Sequence, residues 1–142
     1  MATYHDISVD PAPFKADVDF SACVTTIYRL VTVASTAGNV KLANGASNPA
    51  ALGVIQNSPS LGGEAAVRVI GFSKLAGRSA TCNLRPGTFL VAASDGFAEA
   101  QTVAPGSPVF GRWMGPTLTG AGTSGIGEAL LFGYTACAVS AS

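Results

Sequence analysis

The sequence predicts an all-β domain, built as a sandwich or a small barrel, because short β-favouring runs alternate with turn signals along the chain. The turn signals are Gly38-Asn39, Asn44-Gly45, Asn57 to Gly63, Pro86-Gly87, Asp95-Gly96, Pro105-Gly106 and Gly115-Pro116. A chain of βαβ units would instead place a helical pattern between successive strands.

The predicted strands occupy the runs between these turns. They are Thr25–Val33, Val40–Leu42, Leu52–Gln56, Ala65–Phe72, Thr88–Ala92, Val109–Trp113 and Ala129–Tyr134. Pro49 limits the short helix that the pattern near Ala46–Ala51 would allow. We therefore divide the chain into an extended N-terminal arm (1–24), a β domain (25–134) and a C-terminal tail (135–142).

Turn chemistry predicts two hairpins. Leu52–Gln56 and Ala65–Phe72 flank a wide loop, Asn57–Glu64, whose proline fixes φ, whose glycines accept positive φ and whose polar side chains bond the backbone. Asp95-Gly96 predicts a tight hairpin, since a type I′ turn needs positive φ at both central residues.

The N-terminal arm differs from the rest of the chain in charge. Four aspartates and one lysine among the first twenty residues amount to −3, so the remainder of this chain of net charge +0 carries +3. Pro11 and Pro13 disfavour a helix and cannot donate to a central ladder. Phe14 and Phe20 would have little to pack on in solvent. We expect the arm to order against a neighbouring protein, with these two phenylalanines as interface residues.

The composition is poor in charge. Charged residues make up 11% of the chain, against about 25% in typical soluble domains, and hydrophobic residues make up 48%. Either the surface is rich in Ser, Thr, Asn and Gly, or other subunits cover much of it; we favour the second. The absence of a basic run argues against nucleic-acid binding. Ala129–Val139, the longest apolar stretch, is too short to span a bilayer, and Met1–Asp6 begins no secretory signal, so we expect synthesis in a cytoplasm.

No set of side chains predicts catalysis, and we expect no enzyme, metal or cofactor. Gly120–Gly125 reads G-x-G-x-x-G, but a strand-like run follows where a dinucleotide site needs a helix, so a flexible loop is predicted. His5 lies near the terminus, which argues against a nucleophile pair with Cys23.

The remaining reactive residue types have structural interpretations. The three cysteines, widely spaced, predict no metal site and are expected to be buried free thiols: Cys23, Cys82 and Cys137. Glu64 and Glu128 are expected to be solvated charges at strand edges.

From Gly53 onwards, a series of different short motifs follows in a particular order. The first half carries Gly53, Val54, Gln56, Asn57, Pro59, Gly63, Glu64, Ala66, Arg68, Gly71 and Lys74, with a valine at Val67 or Val69. The second half carries Pro86-Gly87, Asp95-Gly96, Gly111-Arg112, and Gly125–Glu128 followed by Ala129–Phe132. This order resembles the family of small bacteriophage head decoration, or capsid cement, proteins over about Ile27–Phe132. Trp113 departs from the small residue that the family carries after the arginine.

The resemblance implies a β-tulip or β-barrel-like domain with Gly-rich loops that forms a homotrimer on the outside of an icosahedral head. Its partners are then the major capsid protein and copies of itself, without nucleic acid or membrane, and its location is the virion exterior. Trp113 joins Phe14 and Phe20 as a candidate interface residue for capsid or subunit contacts.

One alternative from another class stays open: a glycan- or receptor-binding surface module of the head-fibre-base type. Exposed aromatic residues around Trp113 would favour that module. A Trp113 buried at a subunit contact would favour the cement protein.

Overall fold

The computed structural model describes residues 14–21, 27–44, 51–101 and 108–137, and of these the side chains of 108 and 134–137 are left aside. The described part is all-β, as predicted, and contains no α-helix. Its strands are β1 (Phe14–Ala16), β2 (Leu30–Val33), β3 (Asn39–Leu42), β4 (Gly53–Ile55), β5 (Glu64–Ala65), β6 (Val67–Arg68), β7 (Ile70–Arg78), β8 (Phe89–Ala92), β9 (Ala98–Ala100), β10 (Pro108–Trp113) and β11 (Ser124–Cys137).

Five strands form a closed barrel in the order β10-β11-β7-β9-β8. Its longest ladder is antiparallel and pairs β7 with β11, from Arg78 opposite Ser124 to Ile70 opposite Phe132. A parallel pair, β7 with β9, and the antiparallel pair β8 with β10 complete the circle. Closure removes the exposed edges that an open sheet would leave.

The other strands form a six-stranded sheet in the order β5-β1-β3-β2-β4-β6. Its two edge strands, β5 and β6, follow each other in the chain with only Ala66 between them. The segment 64–68 therefore pairs with β1 on one side and with β4 on the other, so the sheet curls round to meet itself.

Two apolar clusters fill these sheets, and β2 and β4 contribute to both. Leu30 and Val54 belong to the cluster formed with buried residues of the barrel strands, whereas Val31 and Ile55 belong to the cluster inside the curled sheet. Successive residues of a strand point to opposite faces, so each of these strands is a wall shared by the two cores.

Both predicted hairpins are present, but neither has the predicted form. β8 and β9 pair from Leu90 opposite Ala100 to Ala92 opposite Ala98, so residues 93–97 form a five-residue loop instead of a tight type I′ turn, although Asp95 and Gly96 both have positive φ, 60° and 73°. β4 pairs with β6 around the wide loop, but the second arm of that hairpin is split into β5, β6 and the longer β7. The arm is split because each piece pairs with a different strand: β5 with β1, β6 with β4 and β7 with β11.

Three boundaries differ from the sequence prediction. Residues 25 and 26 of the predicted strand Thr25–Val33 lie outside the described residues. Within 27–33 the strand begins at Leu30, because Tyr28 has a φ of 63°, which interrupts an extended backbone. β11 continues to Cys137, past the predicted domain end at 134. The predicted helix near Ala46–Ala51 lies outside the described residues, except for Ala51.

Candidate interaction surface

Most of the residues first considered for chemistry lie outside the part of the chain that the structure describes. His5 and Cys23 lie outside the described residues, as does the side chain of Cys137. Cys82 is a free thiol and is exposed, which corrects the expectation that it is buried. It lies in the irregular segment between β7 and β8, where no apolar layer covers it. Among the described residues, no group of three potential metal ligands from His, Cys, Asp and Glu occurs.

The glycine-rich motif is a turn that leads into a strand. Gly120 and Gly122 have φ of 87° and 84°, and β11 begins at Ser124. A dinucleotide site would need the N-terminus of a helix at this point.

One pocket of about 200 Å³ lies on the barrel exterior. It is lined by Ile27, Arg29, Ala76, Phe97 and the first three residues of β11, 124–126. Typical small-molecule sites occupy about 300–1,000 Å³, so its volume is below that range. The guanidinium of Arg29 already lies 3.6 Å from the centre of the Phe97 ring.

A row of side chains crosses four adjacent strands on the outside of the barrel. Arg112 of β10 lies opposite Phe89 of β8 and opposite Leu130 of β11, and Leu130 lies opposite Phe72 of β7. The flanking Leu90 and Leu131 are buried in the barrel, as the alternation of a strand requires.

A second pair extends this row into a continuous surface. Phe132 lies opposite Ile70, and its ring meets that of Phe89 edge-on with centroids 6.4 Å apart. Phe72 is 58% exposed and Phe89 45% exposed, which is unusual for phenylalanine. We call the five apolar residues of this surface, Ile70, Phe72, Phe89, Leu130 and Phe132, the aromatic face.

Two glycines lie within the strands that carry the aromatic face. Gly71 and Gly133 have φ of 90° and 81°, a region that favours glycine. A Cβ added at Gly133 would lie 3.1–3.2 Å from the side chain of Ile70. These positions let β7 and β11 bend beside Ile70 and Phe132.

Basic side chains surround the aromatic face. The guanidinium of Arg112 lies 5.0 Å from the centre of the Phe89 ring, and that of Arg68 donates to the carbonyl oxygen of Phe72 at 2.7 Å. Lys74 continues β7 and lies opposite Glu128, the acidic residue of the group. Lys74 and Glu128 are both exposed. Glu128 was expected at the start of a strand, but it lies well inside β11.

Two of the three predicted interface residues, Phe20 and Trp113, are core residues, which corrects their expected role, whereas that of Phe14 stays a prediction. Phe20 and Trp113 are fully buried, in the core of the curled sheet and of the barrel respectively. Phe14 is half-buried against the same core as Phe20. The described part of the arm, 14–21, thus packs on its own chain: β1 pairs with β3 and β5.

Trp113 therefore does not separate the decoration protein from the glycan-binding module, because it is neither buried at a subunit contact nor surrounded by exposed aromatic residues. It is buried by its own barrel, and the exposed aromatic residues lie on the aromatic face. The sequence did not predict the aromatic face, because apolar and polar residues alternate only weakly along these strands and so do not show which side chains point outwards. The ladder register, which brings Phe72, Leu130, Arg112 and Phe89 into one row, depends on pairings between distant segments.

Comparison with known proteins adds no relative. No protein-family model and no curated protein matches this chain. Within the described residues, no helix is long and apolar enough to cross a membrane.

Proposed function

We propose that this chain is a structural protein of the bacteriophage head-decoration type, a homotrimer that binds the outer surface of an icosahedral head and stabilises the joints between capsomers. The aromatic face is the observation that carries the proposal. It is an apolar surface on the outside of a barrel, and contiguous apolar surfaces of this kind mark sites of protein association.

The inside of the barrel supports an interaction role over a ligand-binding one. Trp113, Leu75, Leu90 and Leu131 fill it, and each is buried. Even a barrel of about eight strands holds only side chains or one small ligand, and in this five-stranded barrel side chains occupy the space. The outer surface is therefore where this domain offers contacts.

A decoration protein acts through buried area rather than through chemistry. A shell under internal pressure fails where capsomers separate, and a trimer that spans a joint adds contacts that must break first. Stable interfaces of this kind typically bury about 1,200–2,000 Å². Both aromatic residues and arginine, which the aromatic face combines, are enriched in such interfaces.

Co-sedimentation with decoration-free heads tests the proposal. We expect the purified protein to pellet with heads built from the major capsid protein of the same phage. Phe72→Ser combined with Phe89→Ser should abolish this binding. Val33→Ser is the matched control, because Val33 is 56% exposed but lies on β2, away from the aromatic face. A wild-type protein that stays in the supernatant at saturating concentration would refute the proposal.

The exposed rings of Phe72 and Phe89 also favour a second candidate, a glycan- or receptor-binding module on the head. Flat aromatic rings offer stacking surfaces for sugars. Retention on a glycan array, lost in the same double variant and accompanied by no binding to bare heads, would support this module over the decoration protein.

A further inference from the structure

A second exposed surface carries the opposite charge to the aromatic face. It is formed by the segment that follows β1 and by the loop between β4 and β5. These two run side by side: the amide of Gly62 donates to the carbonyl oxygen of Ala16, and that of Phe20 to the carbonyl oxygen of Pro59, at 2.8 and 2.9 Å. We call this the acidic surface; its residues are Asp17, Val18, Asp19, Leu61 and Glu64.

Two of the three carboxylates of the acidic surface, those of Asp17 and Asp19, are held in place by hydrogen bonds. The amide nitrogen of Asn39 donates to Asp17 Oδ1 at 3.0 Å. The hydroxyl and backbone N–H of Ser21 both donate to Asp19 Oδ1 and hold the pKa of that carboxyl below its usual range. Lys15, opposite Glu64, and Lys41 of β3 are the basic side chains nearby.

Apolar groups project among these charges. Leu61 is 68% exposed at the tip of the loop, and Val18 is partly exposed beside Asp17 and Asp19. A leucine held on a turn is a suitable anchor for an apolar partner surface, since burying its side chain removes apolar area from water.

We propose that the acidic surface of one copy docks on the aromatic face of the next copy, head to tail, and that repetition of this contact closes the trimer. The inference rests on the proposed function, because it names how the subunits of that trimer meet. Leu61 contacts the exposed phenylalanines, and Asp17, Asp19 and Glu64 face Arg68, Lys74 and Arg112.

Charge selects this arrangement over a symmetric one. If two aromatic faces met each other across a twofold axis, the three basic side chains of each copy would be juxtaposed, and like charges that face each other across an interface disfavour association. Pairing different surfaces is a heterologous contact, which forms a ring when the rotation closes. One chain can offer both surfaces at once, because the aromatic face lies on the barrel and the acidic surface on the curled sheet.

Charge reversal on each surface tests the proposal. Lys74→Glu with Arg112→Glu makes both surfaces acidic, and Asp19→Lys with Glu64→Lys makes both basic. In sedimentation velocity, the concentration below which the trimer dissociates should be at least about tenfold higher for each double variant than for the wild type. A factor of ten corresponds to a loss of about 1.4 kcal/mol of association free energy. The quadruple variant restores opposite charges and should be a trimer again.

The quadruple variant is also the folding control, because a defect caused by any of the four substitutions would persist in it. As a second measurement, Leu61→Ser should weaken the trimer while Val33→Ser should not; both side chains are exposed, so neither change touches a core.

Three results would overturn the inference: a monomeric wild type, double variants as trimeric as the wild type, or a folded quadruple variant that stays dissociated. A monomeric wild type would also contradict the homotrimer of the proposed function, whereas the other two results leave that trimer in place. Binding to heads is measured separately and decides the decoration role.

Discussion

At the scale of single residues, Trp113 shows how glycine shapes this barrel. Its indole N–H donates to the carbonyl oxygen of Pro116 at 2.8 Å, and its ring lies against Gly77, Gly115 and Gly127. A Cβ at any of the three would come within 3 Å of a ring atom. The small residues of three segments thus make room for the one tryptophan, which explains why a large side chain is tolerated after Arg112.

Gly127→Ala should therefore destabilise the protein by about 1–3 kcal/mol, the usual cost of overpacking. The new Cβ would lie 2.5 Å from Cζ2 of Trp113. Gly125→Ala is the control on the same strand, since its Cβ would meet only a methyl of Leu118, at 3.3 Å, and it should cost under about 1 kcal/mol. Urea unfolding measures both. Equal effects of the two substitutions would contradict this account of the tryptophan site.

At the scale of elements, the wide loop between β4 and β5 is organised by one side chain. The Nδ2 of Asn57 donates to the carbonyl oxygen of Glu64 at 2.9 Å, and its Oδ1 accepts from the amide of Ala66 at 3.0 Å. The next backbone bond, from the amide of Gln56 to the carbonyl oxygen of Ala66, continues the ladder. Asn57 therefore holds the segment 64–66 at the point where it changes from one sheet partner to the other.

Asn57→Ala should lower the free energy of unfolding by about 1–3 kcal/mol, because it leaves two backbone groups without their partner. Asn57→Asp keeps the acceptor for the Ala66 amide but places a carboxylate oxygen against the carbonyl oxygen of Glu64, so it should not restore the stability. Asn83→Ala, at an exposed asparagine between β7 and β8, is the control and should be close to neutral. Thermal unfolding followed by circular dichroism measures all three. An Asn57→Ala protein as stable as the control would show that the bonds of Asn57 are dispensable.

The elements also show what local sequence can predict here. Asp95-Gly96 and the strands around Val40, Leu90 and Val109 were predicted because their signals are short-range: turn residues with positive φ, and β-branched runs. The division of 64–78 into three strands was not predicted, since it depends on which distant strand each piece meets. The same holds for the aromatic face, whose residues align only through the ladder register.

At the scale of the whole molecule, the arm and the shared strands tie the two cores together. β1 lies between β3 and β5, and Phe20 enters the core of the curled sheet. The alternating residues of β2 and β4 then connect that core to the barrel, where Trp113 lies. Loosening one core removes a wall of the other, so a single cooperative unfolding transition is expected.

Phe20→Ala tests this coupling across the molecule. Truncating a fully buried phenylalanine should cost about 3–5 kcal/mol, while Val18→Ser, at an exposed position two residues earlier, should cost little. Trp113 fluorescence reports on the barrel core, and far-ultraviolet circular dichroism reports on all strands. If the cores unfold together, both signals should move to the same lower urea midpoint in Phe20→Ala, although the tryptophan belongs to the other cluster. A circular dichroism transition that shifts while the fluorescence transition stays in place would mean that the curled sheet unfolds without the barrel.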